Sequence, residues 1–162
     1  MVELLGRNET GETNAEQAAL LRLLTPIMKL TTARQAVAVL SEVVEAFGGA
    51  GYVEDTGIPT LLRDAQVLSI WEGTTNVLAL DALRALGGPE GMAVLAAEIE
   101  RRCVVAHDAR LADAVQAVRQ TLQRAGQWLQ SAATTGNDAL EAGARRFALT
   151  IGRCLLYTSR CV

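Results

Sequence analysis

Little in this chain could hold a metal, cross a membrane or staple a small fold. The three cysteines, Cys103, Cys154 and Cys161, are odd in number and form no CxxC pair, which argues against a disulfide framework or a zinc cluster. Cys103 reads instead as a small buried hydrophobe. His107 is the lone histidine, with no ligand partner at useful spacing, so it reads as a capping or surface residue and no metal site is expected. No apolar run reaches the roughly 18 to 20 residues that a membrane span needs. No basic segment followed by an apolar core opens the chain, so no secretory signal is visible and the sequence reads as cytoplasmic. A net charge of −3 gives no general attraction to nucleic acid or anionic lipid. Aromatic residues are only 4% of the 162, while alanine and leucine recur throughout, which favours helices over strands. There is no strand-like alternation of useful length and no internal repeat. The fold class is all-α.

What is present is helical periodicity punctuated by glycine. Residues 14 to 47 form one long pattern, with Asn14 and Gln17 spaced as a capping box. Leu20, Leu23, Leu24, Ile27 and Leu30, then Val37, Leu40, Val44 and Phe47, recur at three and four. Pro26 removes an amide donor, so a kink or short break is expected there. Gly48 and Gly49 end the helix. Residues 48 to 70 read as loop with a short helical turn around Thr60 to Ala65. Thr74 or Thr75 caps a helix running to about Leu86, and "GGPEG" from Gly87 to Gly91 is a break, Pro89 suiting a first helical turn. Helices at roughly 89 to 106, 109 to 133 and 137 to 153 follow, with Asp108 and Asn137 as N-cap candidates.

Three motifs stand in order within about 40 residues: "GGAGYVED", "LLRDAQVLSI" and "WEGTTN". In order and spacing they resemble the C-terminal signature of the acyl-CoA dehydrogenase superfamily, whose C-terminal domain is an antiparallel helical bundle. The "SIWEGT" variant, the following "NVLALDALRAL" and the further helices look most like the branch containing the bacterial alkylation-response (AidB-like) flavoproteins.

The resemblance implies roles for particular residues. Glu72 would be the catalytic base of α,β-dehydrogenation, removing the α-proton of an acyl-CoA thioester while the β-hydrogen leaves as hydride to FAD. The base residue's own amide would help polarise the thioester carbonyl, by the logic of an oxyanion hole. Trp71 and Gly73 would flank the substrate, the glycine allowing a sharp turn and close approach. Thr74 and Asn76 match positions that contact FAD, where a helix N-terminus suits a diphosphate. Gly48, Gly49 and Gly51 match the turn that approaches the FAD of a neighbouring subunit. Glu45 stands where relatives often have glutamine, and a carboxylate there is unfavourable to a diphosphate. Arg63 and Asp64 match a pair read as structural, an ion pair anchoring the connector. Expected partners are acyl-CoA, an electron-transferring flavoprotein as electron acceptor and further copies of the chain as a homo-dimer or homo-tetramer, with no membrane association.

The bland reading of Glu72 is a carboxylate favouring a helix N-terminus through the dipole. Two rival functions accompany it: a DNA-associated flavoprotein with little dehydrogenase activity, and a helical interaction module without chemistry. For the first, Arg101, Arg102, Arg110, Arg119, Arg124, Arg145 and Arg146 could meet phosphates. Residues 87 to 153 nevertheless carry 8 Lys/Arg against 7 Asp/Glu, so these arginines read as solvated faces with intrahelical pairs. Ala114, Val118 and Leu122 read as core or subunit interface, with Trp128 off that stripe.

The sequence divides into 1–86, a partial acyl-CoA dehydrogenase C-terminal helical domain; 87–153, an additional helical region; and 154–162, a tail. The ending "CLLYTSRCV" resembles the translation of a transposon-derived sequencing adaptor and is set aside as a foreign scar. The natural polypeptide is accordingly expected to extend beyond this chain at both ends, and the fragment alone to be inactive.

Overall fold

The computed structural model describes residues 1–87, 89–105 and 108–160. Every element among the described residues is helical, with no strand. The order is α1 (Val2–Glu9), α2 (Ala15–Ala46), α3 (Gly49–Tyr52), a 3₁₀ turn at Glu54–Thr56, α4 (Ile58–Leu68), α5 (Thr75–Leu86), α6 (Pro89–Val105), a 3₁₀ turn at Ala109–Leu111, α7 (Ala112–Thr135) and α8 (Asn137–Arg160). His107, expected at a cap or on the surface, lies outside the described residues.

Asn14 starts α2 as its sequence promised. Its side chain accepts from the Gln17 amide at 2.8 Å, and the Gln17 side chain accepts from the Asn14 amide at 3.2 Å. The helix then runs without a break through Pro26, which is buried in its interior. The proline leaves the Arg22 carbonyl without an amide donor, and apolar packing on both sides holds the helix across the gap. Leu23, Leu24, Ile27 and Leu30 sit in the main core. Full burial of one such side chain is worth about 1.5–3 kcal/mol relative to leaving it exposed.

Residues 48 to 70 are more helical than the glycines and proline imply. Gly57, in a left-handed conformation (φ 74°), turns the chain, and Pro59 in the first turn of α4 presets its backbone. From there α4 runs back along the second half of α2 over 11 residues, where a short turn was expected. Packing against α2 overrides the local breakers.

The core is one contiguous cluster. It joins the first half of α2 to α5, α6, α7 and α8, and its most enclosed large side chains are Ile27, Leu30, Leu95, Ile99 and Ile151. Cys103 is buried in it, as expected of a small hydrophobe. Val118 and Leu122 are core residues of α7, and Trp128 packs at the edge. Helix α8 approaches α2 at Gly152, where a Cβ would fall 2.2 Å from the Thr31 hydroxyl.

Two boundaries differ from the sequence reading. Asn137 is the first residue of α8 rather than its cap; Gly136, at φ 128°, makes the turn before it. Helix α8 also continues past residue 153 to Arg160, and Cys154 and Leu155 pack on the core. Burial pushes the Cys154 thiol pKa up. Asp108 does cap as expected, its carboxylate accepting from the Arg110 amide at 2.9 Å. Among the described residues no helix is long and apolar enough to cross a membrane.

Candidate functional site

Leu68 ends α4, and the amides of Ser69, Ile70 and Trp71 continue a tight turn onto the Gln66 and Val67 carbonyls. The chain must then reverse into α5 within three residues. It does so with two successive positive φ angles, 57° at Glu72 and 114° at Gly73. Glycine at 73 is required by that angle, and a Cβ there would also lie 3.1 Å from the Leu78 side chain. Glu72 is different: it is the one non-glycine residue with positive φ among the described residues. An L-residue in this conformation costs about 1–2 kcal/mol, and such strain concentrates at functional positions.

The strained backbone projects the Glu72 carboxylate outward, where its side chain is 74% exposed. Lys29, on α2 and only 27% exposed, brings its Nζ to 3.9 Å from Glu72 Oε2. That is the reach of an ion pair and too long for a hydrogen bond. The Glu72 amide meets no carbonyl among the described residues, which leaves it free to donate outward. Trp71 beside it is 68% exposed, and Ile70, Val67, Leu68 and Val77 add exposed apolar surface from α4, the turn and α5. The turn therefore presents a carboxylate and an open N–H on an apolar rim. Among the described residues Lys29 is the charged group that meets this carboxylate.

Thr74 holds the N-cap position of α5 by its backbone (φ −67°, ψ 163°), yet its hydroxyl makes no capping bond. The first backbone bond of α5 is Leu78 N–H to the Thr74 carbonyl, 2.9 Å. The amides of Thr75, Asn76 and Val77 thus open the helix without intrahelical acceptors. Asn76 Oδ1 accepts from Arg145 Nη1 of α8 at 3.3 Å. A free hydroxyl, opening amides and a guanidinium converge at one helix end, a setting that favours an anion.

The glycine turn lies elsewhere. Gly48 (φ 55°, ψ −134°) ends α2 and, with Gly49, faces open space, whereas a Cβ on Gly51 would lie 2.2 Å from the Val44 carbonyl. Gly51 is therefore a packing residue, and Gly48 and Gly49 present bare backbone. The Gly48 amide donates to the Glu45 carbonyl at 2.9 Å. From Lys29 to Gly48 the helix extends on the order of 28 Å at 1.5 Å per residue, so the glycine turn and Glu72 mark opposite ends of the second half of α2.

Arg63 forms an ion pair, and its partner is Glu54 on the 3₁₀ turn rather than its neighbour Asp64. Both guanidinium nitrogens reach the carboxylate, at 2.9 and 2.8 Å. Adjacent helical positions do not face one another, which rules out the 63–64 pairing. The Arg63 guanidinium holds the Glu54 carboxyl below the usual carboxylate range. The arginines considered for nucleic acid are largely engaged: Arg101 and Arg102 on Glu98, Arg110 on Asp108, Arg119 on Glu100 across to α6, and Arg145 on Asn76. Sequence reasoning missed Lys29, Arg145 and Glu54 as partners at these turns. No local pattern marks them, because each is brought in by tertiary packing.

The chain is similar to known proteins along most of its length. The family described as "Acyl-CoA dehydrogenase, C-terminal domain" matches residues 5–87, just over half of the chain. A second, described as "Acyl-CoA dehydrogenase 11 C-terminal domain-like", matches residues 90–158. Acyl-CoA dehydrogenase family member 11 of Caenorhabditis elegans is 43% identical over 156 residues, which cover 93% of this chain and 25% of that protein. AidB of Escherichia coli is 36% identical over 94 residues, 58% of this chain and 17% of the relative. The crystal structure of C. elegans ACDH-11 in complex with C11-CoA superposes with a TM-score of 0.87 at 41% identity, over 98% of this chain and 27% of that one. The likeness thus extends through the helices beyond residue 87 with the nematode protein, whereas the AidB likeness covers a smaller share of the chain than an AidB-like branch would lead one to expect. The chain spans about a quarter or less of the length of these curated relatives.

Proposed function

Because this chain belongs to the acyl-CoA dehydrogenase C-terminal domain family, we propose that it is the C-terminal helical part of an FAD-dependent acyl-CoA dehydrogenase in which Glu72 is the base. The observation that carries the reading is the Glu72 backbone: a non-glycine residue held at φ 57°, with a carboxylate 74% exposed and an amide that meets no backbone carbonyl among the described residues. A residue that merely favoured the α5 dipole would need neither the strain nor the open amide.

In this role the Glu72 carboxylate takes the α-proton of the acyl-CoA thioester. Its own N–H donates to the thioester carbonyl and stabilises the charge that develops there as the C–H bond breaks. Trp71 and the neighbouring apolar side chains form one wall for the acyl chain. The chemistry that bound FAD would supply is a hydride acceptor for the β-hydrogen. The residues present suit that cofactor. The Thr74 hydroxyl, the opening amides of α5 and Arg145 would hold a diphosphate, while Gly48 and Gly49 expose backbone with no side chain in the way. Since Gly48 and Glu72 stand far apart along α2, the glycine turn would serve the cofactor of another copy, which makes a homo-oligomer part of the proposal.

The exposed apolar side chains at both ends of this region, Phe47 and Tyr52 at one and Ile70 and Trp71 at the other, support this arrangement. Such a face calls for cover, and the remainder of the flavoprotein with a second subunit would provide both cover and desolvation of the base. The substrate in this reading is an acyl-CoA thioester, the class of ligand held in the crystal structure of C. elegans ACDH-11 with C11-CoA, and an electron-transferring flavoprotein would reoxidise the flavin. A DNA-associated function draws less support, since most of its candidate arginines already hold carboxylates.

The test uses the complete flavoprotein. With Glu72→Gln, anaerobic mixing with acyl-CoA should bleach the flavin at least 10²-fold more slowly, the scale of a lost general base, with FAD content unchanged. Bleaching at the rate of the unaltered protein overturns the assignment.

A further inference from the structure

The strongest unassigned feature is a cleft of about 350 Å³ on the flank of the α7–α8 pair, on helices that carry no residue of the dehydrogenation base or its turn. Its α7 wall is Thr121, Arg124 and Trp128, and its α8 wall Gly143, Arg146 and Thr150. These recur at three and four, so each helix turns one stripe into the cleft. Gly143 shapes the floor. A Cβ there would lie 2.0 Å from Cζ2 of Trp128, so only a bare backbone lets the indole lie against α8. Phe147 stands behind it, ring centroid 5.5 Å from the indole at 32°. The result is a partly exposed indole on the floor of the cleft, backed by the buried Phe147 ring.

The charge around that floor is one-sided. Arg124 and Arg146 are the charged residues that line it, and no carboxylate does. Arg7, Arg22, Arg63, Arg101, Arg102, Arg110 and Arg119 each hold a carboxylate, whereas Arg34, Arg84, Arg145 and Arg153, like the two arginines of the cleft, hold none among the described residues. The Thr121 hydroxyl donates to the Ala117 carbonyl at 2.7 Å and so faces any ligand as an acceptor or through its methyl. Two uncommitted guanidinium groups beside a flat apolar surface favour a charged group at the rim and a ring on the floor. The volume falls within the range of small-ligand sites.

We propose that this cleft binds a small anion with a flat apolar body, its charge held by Arg124 and Arg146 and its ring by Trp128 and Phe147. The anionic group is a carboxylate or a phosphate ester, both of which match a guanidinium pair.

The chain has two tryptophans, Trp71 and Trp128, so two indole N–H signals report on two separate places. In ¹⁵N-labelled protein, with the signals assigned through Trp71→Phe, 2-naphthoate and 2-naphthyl phosphate are titrated in turn. The Trp128 signal should shift saturably while the Trp71 signal stays in place, and the tighter of the two probes identifies the anion. Arg124→Gln and Arg146→Gln should each weaken binding about tenfold, the size of a lost charged hydrogen bond. Both arginines are exposed, so the amide spectrum of each variant should remain dispersed. Neutral 2-naphthylmethanol should bind at least tenfold more weakly. Shifts of both indoles without saturation, equal binding of the neutral compound, or unchanged affinity in the two arginine variants overturns the proposal.

Discussion

Replacing Glu72 by glycine and, separately, by alanine measures the strain on which the catalytic reading leans. Both substitutions remove the carboxylate and the 3.9 Å contact with Lys29, so those losses cancel when the two variants are compared. What remains is the backbone at φ 57°. An L-residue pays about 1–2 kcal/mol there relative to glycine. Glycine, being freer in the unfolded chain, gives back about 0.4–1 kcal/mol. The difference leaves the glycine variant more stable by about 0.5–1 kcal/mol. Urea unfolding followed by circular dichroism, with the two variants sharing one slope, resolves a gap of this size through the shift in midpoint. At ordinary helical positions the order is reversed, since alanine exceeds glycine by about 1 kcal/mol. An alanine variant equal to or more stable than the glycine variant would therefore show that residue 72 carries no left-handed strain in solution, and the argument from strain to function would fail with it.

Further outcomes follow from other positions. Gly51→Ala should destabilise the fold by about 1–3 kcal/mol, because its Cβ meets the Val44 carbonyl at 2.2 Å; Gly49→Ala, which meets nothing, should leave the urea midpoint of the chain unchanged yet lower the FAD content of the complete flavoprotein. Ile99→Ala should cost about 2–5 kcal/mol, since the side chain is fully enclosed in the core, read again from urea unfolding. Acid should weaken the fold in a defined window. Arginine partners depress the Asp81, Glu54, Glu100 and Asp108 carboxyls below their ordinary values of 3.8, 4.5, 4.5 and 3.8. The unfolded chain then takes up protons first, so the stability from these pairs is complete above about pH 5 and is lost as pH falls below those values. Arg22→Gln, which removes the Asp81 partner, should flatten part of that acid slope in a pH series of unfolding midpoints.

The helices were legible where local signals and burial agree. Asn14 and Gln17 announce the start of α2 by chemistry that needs no tertiary partner, and Leu20 to Leu30 recur at the spacing of the face they bury. Helix α4 was under-read because Gly57 and Pro59 look like breakers in isolation. One is the left-handed turn before the helix and the other belongs to its first turn. At Pro26 no break occurs, as packing carries α2 through it. At the candidate site the motif pointed to Glu72 and Gly73, and the structure adds what no motif encodes: the left-handed angle at 72, Lys29 at its carboxylate and Arg145 at Asn76. Those contacts depend on how remote helices cross. Arg63 shows the limit from the other side, because the resemblance paired it with Asp64 while the helix turned the guanidinium toward Glu54.

The distribution of burial bears on where function would reside. The first half of α2 and helices α5 to α8 enclose a complete core, while the second half of α2 with α3 and α4 stands beside it with much of its apolar surface bare. The three motifs that carry the family likeness lie on this second, incompletely covered part and on the turn joining it to α5. A segment selected only to fold would turn Phe47, Tyr52, Ile70 and Trp71 inward or replace them with polar residues, because each exposed large apolar side chain raises the hazard of association. Glu72 occupies the seam between the enclosed core, which fixes its backbone through α5, and the bare face, which leaves its carboxylate open. Rigid support on one side and an unfilled apolar surface on the other is the setting that the role proposed for Glu72 calls for.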